Sequence, residues 1–395
     1  MALVPAQHQN YMQNLFRTSS ADAANGVVAS TRRERIRFFN AWTRWLSIYL
    51  PTLSNTLEEC SLPSRLDILV AYGRHVRCGG VSTRKHQVRA QTVALAFRSI
   101  SSTLQLDGKF NPLATAQGGY PKKISQLLEN YKRLDPPVRP KLAIPALVPQ
   151  HMHMLRCNKT PQEQTVGDFG LIAFYYLLRV GEYTYHKPSE NRRTKQFRLQ
   201  DVSLWHHNTL LSPALPEKYL LAHCTAATLN ISNQKNGVRS QTIHQEAINT
   251  FSCPIRAIIR RVKHILQHTT NPNTILSTYF NKKYPNGRCI TATLINTAVK
   301  QSTAYLGLEQ QGLHKDHVGS HSLRAGGAMA MHLNGISDNT IKKMGRWSSD
   351  TFLMYIHEQI SAFSKGISHK MSKNIQFHNI AFQPSHGPTL ISPAA

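Results

Sequence analysis

The sequence predicts a mainly α-helical fold with a small antiparallel β-sheet, split into a basic helical N-terminal domain and a second domain of mixed α+β character. Three observations carry this. Phe38, Trp42, Trp45 and Tyr49 recur at helical spacing among Arg32, Arg33, Arg35, Arg37 and Arg44, the pattern of an amphipathic helix with a basic face. Five prolines crowd the segment 136–149. Proline removes backbone donors and turns its predecessor away from helix, so an extended linker is predicted there. The stretch "ATLNISNQKNGVRSQTIHQE" (227–246) alternates about Asn236-Gly237, which is a hairpin signal.

The elements follow in order. Residues 1–30 are small and polar and are expected to form a disordered tail. The basic helical domain spans 31–133. After its aromatic helix it holds a second helix over 62–76 and a third from about Ser82, with Val93, Phe97 and Ile100 as the apolar stripe. Arg84, Lys85, His86, Arg89 and Arg98 surround that stripe. Each alone suits a solvated face; together they suit a DNA backbone, because neutralised phosphates release counterions. The linker is placed at 134–149 and the second domain at 150–366.

That domain opens on "TPQEQTVGDFGLIAFYYLLRVGE", with Thr160 as N-cap and Pro161 at the first helical position. Its apolar run ends at Arg179, with Gly181 as a stop. "FRLQDVSL" (197–204) and "KYLLAHC" (218–224) are strand-like. Helices are expected over about 253–268, 291–305, 321–334, 337–344 and 349–357, then a loose tail over 367–395. The basic stretch 186–198, with Arg193 and Lys195, is read as an inserted loop facing DNA or solvent.

Charge narrows the partner. The 395 residues carry 47 Lys+Arg against 20 Asp+Glu, a net +27, which calls for a polyanion. No run approaches the roughly 18 apolar residues of a membrane span, and the N-terminus lacks a signal-peptide pattern. The six cysteines are scattered without a C-x-x-C pair, against both a zinc ribbon and a disulfide framework. An intracellular protein is expected, nuclear if the host is eukaryotic, with double-stranded DNA as partner and no membrane. His314, His317 and His321 could share a face. Asp316 is the sole nearby carboxylate and no cysteine joins them, so neither metal nor cofactor is expected.

Metal-free phosphodiester cleavage needs a nucleophile, two fixed cations on the non-bridging oxygens, an acid for the leaving oxygen and a group for the nucleophile's proton. Arg179 and Arg324 suit the cation role, since guanidinium binds two phosphate oxygens in parallel and stays charged. His321 lies three residues before Arg324, on the same helix face. Lys235, just before the Asn-Gly turn, can reach over a backbone, and neighbouring guanidiniums would lower its pKa so that it donates a proton. Tyr355, 31 residues beyond Arg324, would attack phosphorus.

These segments resemble the tyrosine recombinase (phage integrase) family: "LLRVGE" its first arginine box, "SNQKNGVR" its hairpin lysine, "HSLRAGGAMAMHLNG" its H-x-x-R box and "MGRWSSDTFLMYIH" its tyrosine box. The wording is most similar to Crypton-type recombinases of eukaryotic mobile elements. The resemblance covers roughly residues 31–366. It implies a SAM-like helical core-binding domain and a catalytic domain that clamp duplex DNA. It also implies a 3′-phosphotyrosine intermediate formed without metal or ATP, and a homotetramer on two duplexes. Trp347 stands where the family has a phosphate-binding histidine or tryptophan. Arg346 departs from the histidine many relatives carry after the glycine.

Other readings stay open at this point. Tyr355 alone would be a core aromatic beside Phe352 and Ile356. Arg179 alone would be a helix-end cation facing Glu182, and Lys235 a solvated lysine with Lys218 as rival. The same fold could also serve a catalytically silent DNA-binding regulator or a type IB-like topoisomerase.

Overall fold

The computed structural model describes residues 4–27, 29–83, 85–137, 141–186, 194–231 and 241–347, with 353 and 372. Its mainly helical architecture, with a small antiparallel sheet, is the predicted fold class.

The N-terminal helices are α1 (Gln9–Asn25), α2 (Ala29–Tyr49), α3 (Leu62–Arg77), α4 (Ala90–Leu106) and α5 (Lys122–Leu134). The segment 1–30, expected to be a disordered tail, thus carries a 17-residue helix. Its Tyr11, Leu15 and Phe16 are exposed, so local propensity rather than packing holds it. Phe38 and Trp42 of α2 are fully buried while Tyr49 lies at the surface. Trp42 packs edge-on against Tyr72 of α3 at 4.8 Å between centroids, and its indole N–H donates to the Asn55 carbonyl at 3.0 Å. Val93, Phe97 and Ile100 of α4 complete this core, as their spacing predicts.

The third helix starts at Ala90, not near Ser82. The preceding stretch is held open by α3: the Val88 N–H donates to the Arg77 carbonyl at 2.9 Å, and the Arg77 guanidinium donates to the Val88 carbonyl at 2.6 Å. Asp135, one residue past α5, bonds the buried Arg77 guanidinium and accepts the Ala90 N–H at 2.8 Å. One carboxylate therefore caps α4 and neutralises Arg77.

The second core is built around two early helices, α6 (Leu147–Met154) and α7 (Pro161–Tyr175). α6 begins inside the segment predicted as linker. Thr160 caps α7 by accepting the Glu163 N–H, with Pro161 in its first turn, as the sequence predicts. Residues 165–174 of α7 are all buried, which makes α7 the central helix. It ends at Tyr175, four residues before Arg179, because Leu177 turns left-handed (φ 50°).

A four-stranded antiparallel sheet follows, in spatial order β2-β1-β3-β4. Its strands are β1 (Val202–His206), β2 (Thr209–Leu211), β3 (Ala226–Ile231) and β4 (Gln241–Glu246). β3 and β4 pair from Ala226↔Glu246 to Ile231↔Gln241, the predicted hairpin. The segment 218–224, read as strand-like, is instead helix α8 (Glu217–His223) behind Pro216. Its Glu, Lys, Leu and Ala favour helix, and only Leu220 is buried, toward the next helix. Helix α9 (Pro254–Leu266), hairpin β5 (Thr278–Asn281) with β6 (Tyr284–Cys289), and helices α10 (Ala292–Tyr305), α11 (Ser320–Leu333) and α12 (Asp338–Gly345) complete the described chain. The predicted helix 349–357 and tail 367–395 lie outside the described residues, Leu353 and Ser372 apart.

Candidate active site

Three distant segments meet beyond the C-terminal end of α7. The first is the turn itself. Tyr176 donates its hydroxyl to the Ala227 carbonyl of β3 at 2.8 Å, and Gln245 of β4 donates to the Tyr175 carbonyl at 2.6 Å. The β3–β4 pair is thus tied to the turn that leads into Arg179. Lys235 belongs to the segment 232–240 between those strands, outside the described residues.

The second segment is α11. Its "RAGGA" sequence lets the helix touch backbone directly. A Cβ on Gly327 would lie 2.3 Å from the Phe174 carbonyl oxygen, and one on Gly326 would lie 2.2 Å from that of Ile144. This approach sets Arg324, 3% exposed, beside the turn. Its guanidinium donates to the Leu177 carbonyl at 2.5 Å and to the Gly345 carbonyl. His321, one turn earlier, is solvent-exposed.

The third segment is the end of α12. Trp347 lays its ring under the Arg324 guanidinium, 4.3 Å from the centroid, a cation–π contact. Its indole fills the space where a side chain on Gly345 would sit. Leu353, the described residue nearest Tyr355, packs with Trp347 against Ala325, Ala328 and Ile341. Tyr355 itself lies outside the described residues.

Arg179 donates to Glu182 Oε1 at 3.3 Å and to the Arg346 carbonyl at 3.2 Å, and its side chain is 23% exposed. The helix-end pairing with Glu182 considered from sequence is therefore present. Arg346 is left-handed (φ 58°) and 4% exposed, and donates to Glu182 Oε2 at 3.0 Å and to the Leu177 carbonyl at 2.9 Å. Burial holds its pKa below the usual guanidinium range, against the opposing pull of Glu182. The network thus joins two guanidiniums on the Glu182 carboxylate to a third, Arg324, through the shared Leu177 carbonyl, a local net charge of about +2 at neutral pH.

Of the predicted catalytic residues, Arg179, Arg324 and Trp347 come together, with His321 on the same helix as Arg324. Glu182 and Arg346 are the parts the sequence did not single out as working residues. The Arg179-to-Glu182 spacing of three was the available sign of the pair. Of the DNA-binding candidates, Lys85, Arg89 and Lys195 are exposed, and Arg89 precedes α4 as its N-cap residue. Arg84 and Arg193 lie outside the described residues. Among the described residues no helix is long and apolar enough to cross a membrane.

No family model matches the chain, and no curated protein sequence matches it. Solved structures do. A lambda integrase dimer bound to a core site is 15% identical, with 87% of this chain and 94% of that one covered at a TM-score of 0.46. The XerH site-specific recombinase bound to its difH substrate is 13% identical, over 81% and 76%, at 0.45. The Tn1549 transposon integrase with circular-intermediate DNA is 12% identical, over 84% and 99%, at 0.43.

Proposed function

We propose that this chain is a tyrosine recombinase, a site-specific enzyme that cuts and rejoins double-stranded DNA through a 3′-phosphotyrosine. The single observation that carries the reading is the guanidinium cluster. Arg179, Arg324 and Arg346 converge from positions up to 167 residues apart on a turn with one carboxylate. Such an excess of positive charge is stabilised by an anion, and a fixed set of guanidiniums matches the oxygens of a phosphate.

The steps follow from the residue types. The Tyr355 oxygen bonds to phosphorus and the bond from phosphorus to the 5′-oxygen breaks. His321 accepts the phenolic proton and Lys235 protonates the leaving oxygen. Arg179, Arg324 and Trp347 stabilise the charge that develops on the non-bridging oxygens. The new phosphotyrosine conserves the bond energy, so the reverse step rejoins strands without ATP. Exposed Lys85 and Arg89, with Arg84, Arg193 and Lys195, would contact the DNA backbone. Four protomers on two duplexes complete an exchange, and the Crypton-type affinity would place the enzyme in a mobile element within a nucleus.

One observation favours a second reading, a silent DNA-binding regulator. Arg324 is buried and donates to two protein carbonyls, a setting that also suits an arginine whose role is to brace the fold. Trapping decides between them. Nicked duplexes drawn from DNA flanking the coding sequence should yield a covalent protein–DNA adduct that Tyr355→Phe abolishes. Arg324→Ala should slow its formation by about 10²–10³-fold and leave DNA affinity nearly unchanged. Binding without adduct would establish the regulator. Relaxation of plasmid of arbitrary sequence would indicate a topoisomerase.

A further inference from the structure

We propose that Arg346 is a positioning residue that aims Arg179, a role that rests on the strand-transfer reading above. The basis is a chain of shared contacts. Two acceptors of the Arg179 guanidinium are Glu182 Oε1 and the Arg346 carbonyl. Arg346 fixes both. Its own backbone supplies the second, and its Nη2 holds the other oxygen of the same Glu182 carboxylate. The same Nη2 donates to the Leu177 carbonyl, which is also the acceptor for Arg324. One side chain therefore ties together the supports of both predicted phosphate-binding arginines.

The arrangement is costly. Arg346 holds a left-handed backbone (φ 58°), which a non-glycine residue adopts only against steric resistance. The Arg346–Glu182 pair is 1% exposed on each side, and the Nε and Nη1 of Arg346 are buried without a hydrogen-bond partner among the described residues. A buried pair with two orphaned donors contributes poorly to folding compared with apolar packing. What it does supply is a fixed direction for Arg179, which is partly exposed and must face a ligand. A small residue at 346 would supply the carbonyl without the second grip on Glu182.

The test is a double-mutant cycle in the full-length chain, read as single-turnover adduct formation on a nicked duplex. Arg346→Met keeps the volume and removes the charge. It should slow cleavage by about 10- to 100-fold, as expected when a reacting group is misaimed, with DNA affinity within a few-fold of wild type. Arg346→Lys should recover part of the rate. In an Arg179→Ala background the same Arg346→Met change should cost less than about 3-fold, because the residue it aims is already gone. Equal losses in both backgrounds would overturn the proposal.

If wild-type protein forms no adduct, the strand-transfer reading fails, and the aiming is read without activity. The guanidinium Nη–H signals of Arg179, assigned by Arg179→Lys, should be resolved in nitrogen-15 spectra of the wild type. They should merge by rapid rotation in Arg346→Met at unchanged melting temperature. Identical Arg179 signals in both proteins would refute it.

Discussion

Gly327→Ala tests how α11 delivers Arg324. The added Cβ would sit 2.3 Å from the Phe174 carbonyl oxygen and 2.4 Å from a Leu177 methyl. Ordinary contact begins at 3.4 Å, and a backbone oxygen at the end of α7 cannot swing aside. Relief therefore requires α11 to retreat by about 1 Å, which stretches the Arg324-to-Leu177 bond from 2.5 Å beyond hydrogen-bonding range. Overpacking costs about 1–3 kcal/mol and loss of a charged hydrogen bond about 1.5–3 kcal/mol. The better helix propensity of alanine returns about 1 kcal/mol. The net loss is about 1.5–5 kcal/mol, or roughly 3–20 °C in melting temperature for a domain of this size. Calorimetry measures this, and the trapping assay should show adduct formation falling with it. A melting temperature within a degree of wild type, with undiminished cleavage, would show that the close approach does not position Arg324.

Asp135→Asn should leave Arg77 buried against a neutral amide and destabilise the N-terminal domain by about 3 kcal/mol, seen as an earlier transition in urea. Acid should weaken the second domain. His153 and His264 are each held down to about 4, first by burial and then by Arg260 and by Arg261 with His268. The unfolded chain binds more protons than the native one between about 4 and 6.5. Stability is therefore complete above about 6.5 and falls as the pH drops toward 4. Melting curves from pH 7 to 4.5 should show the fall and His153→Gln should reduce it; a flat profile would contradict the assignment. DNA affinity should fall steeply with salt, and Lys85→Ala or Arg89→Ala should each reduce the log–log slope by about 1 if they contact phosphate.

Much of the helical frame was legible from residues alone. Thr160-Pro161 marked the start of α7, Val93, Phe97 and Ile100 marked the buried face of α4, and Asn236-Gly237 lay between the two paired strands. Failures had local causes. The segment 218–224 has β-compatible Tyr and Leu, but Pro216 and the packing of Leu220 decide for helix. The hairpin of β5 and β6 escaped notice because "KKYPNGRC" places its polar residues on an exposed strand whose partner does the burying. At the site, arginines at the expected offsets could be named. The shared Leu177 carbonyl and the grip of Arg346 on Glu182 could not, because both depend on backbone turns and on partners more than 140 residues away.

The position of Asp135 has a mechanical consequence. It stands at the mouth of the proline stretch and clasps α3 and the first amide of α4 simultaneously. A pull along the connector is therefore borne as shear by two helix ends and is not dissipated by peeling α5 from its C-terminus. The N-terminal bundle behaves as a cleat from which the remaining chain is tethered. Cutting that one carboxylate should lower the force at which the bundle gives way more than it lowers its heat resistance.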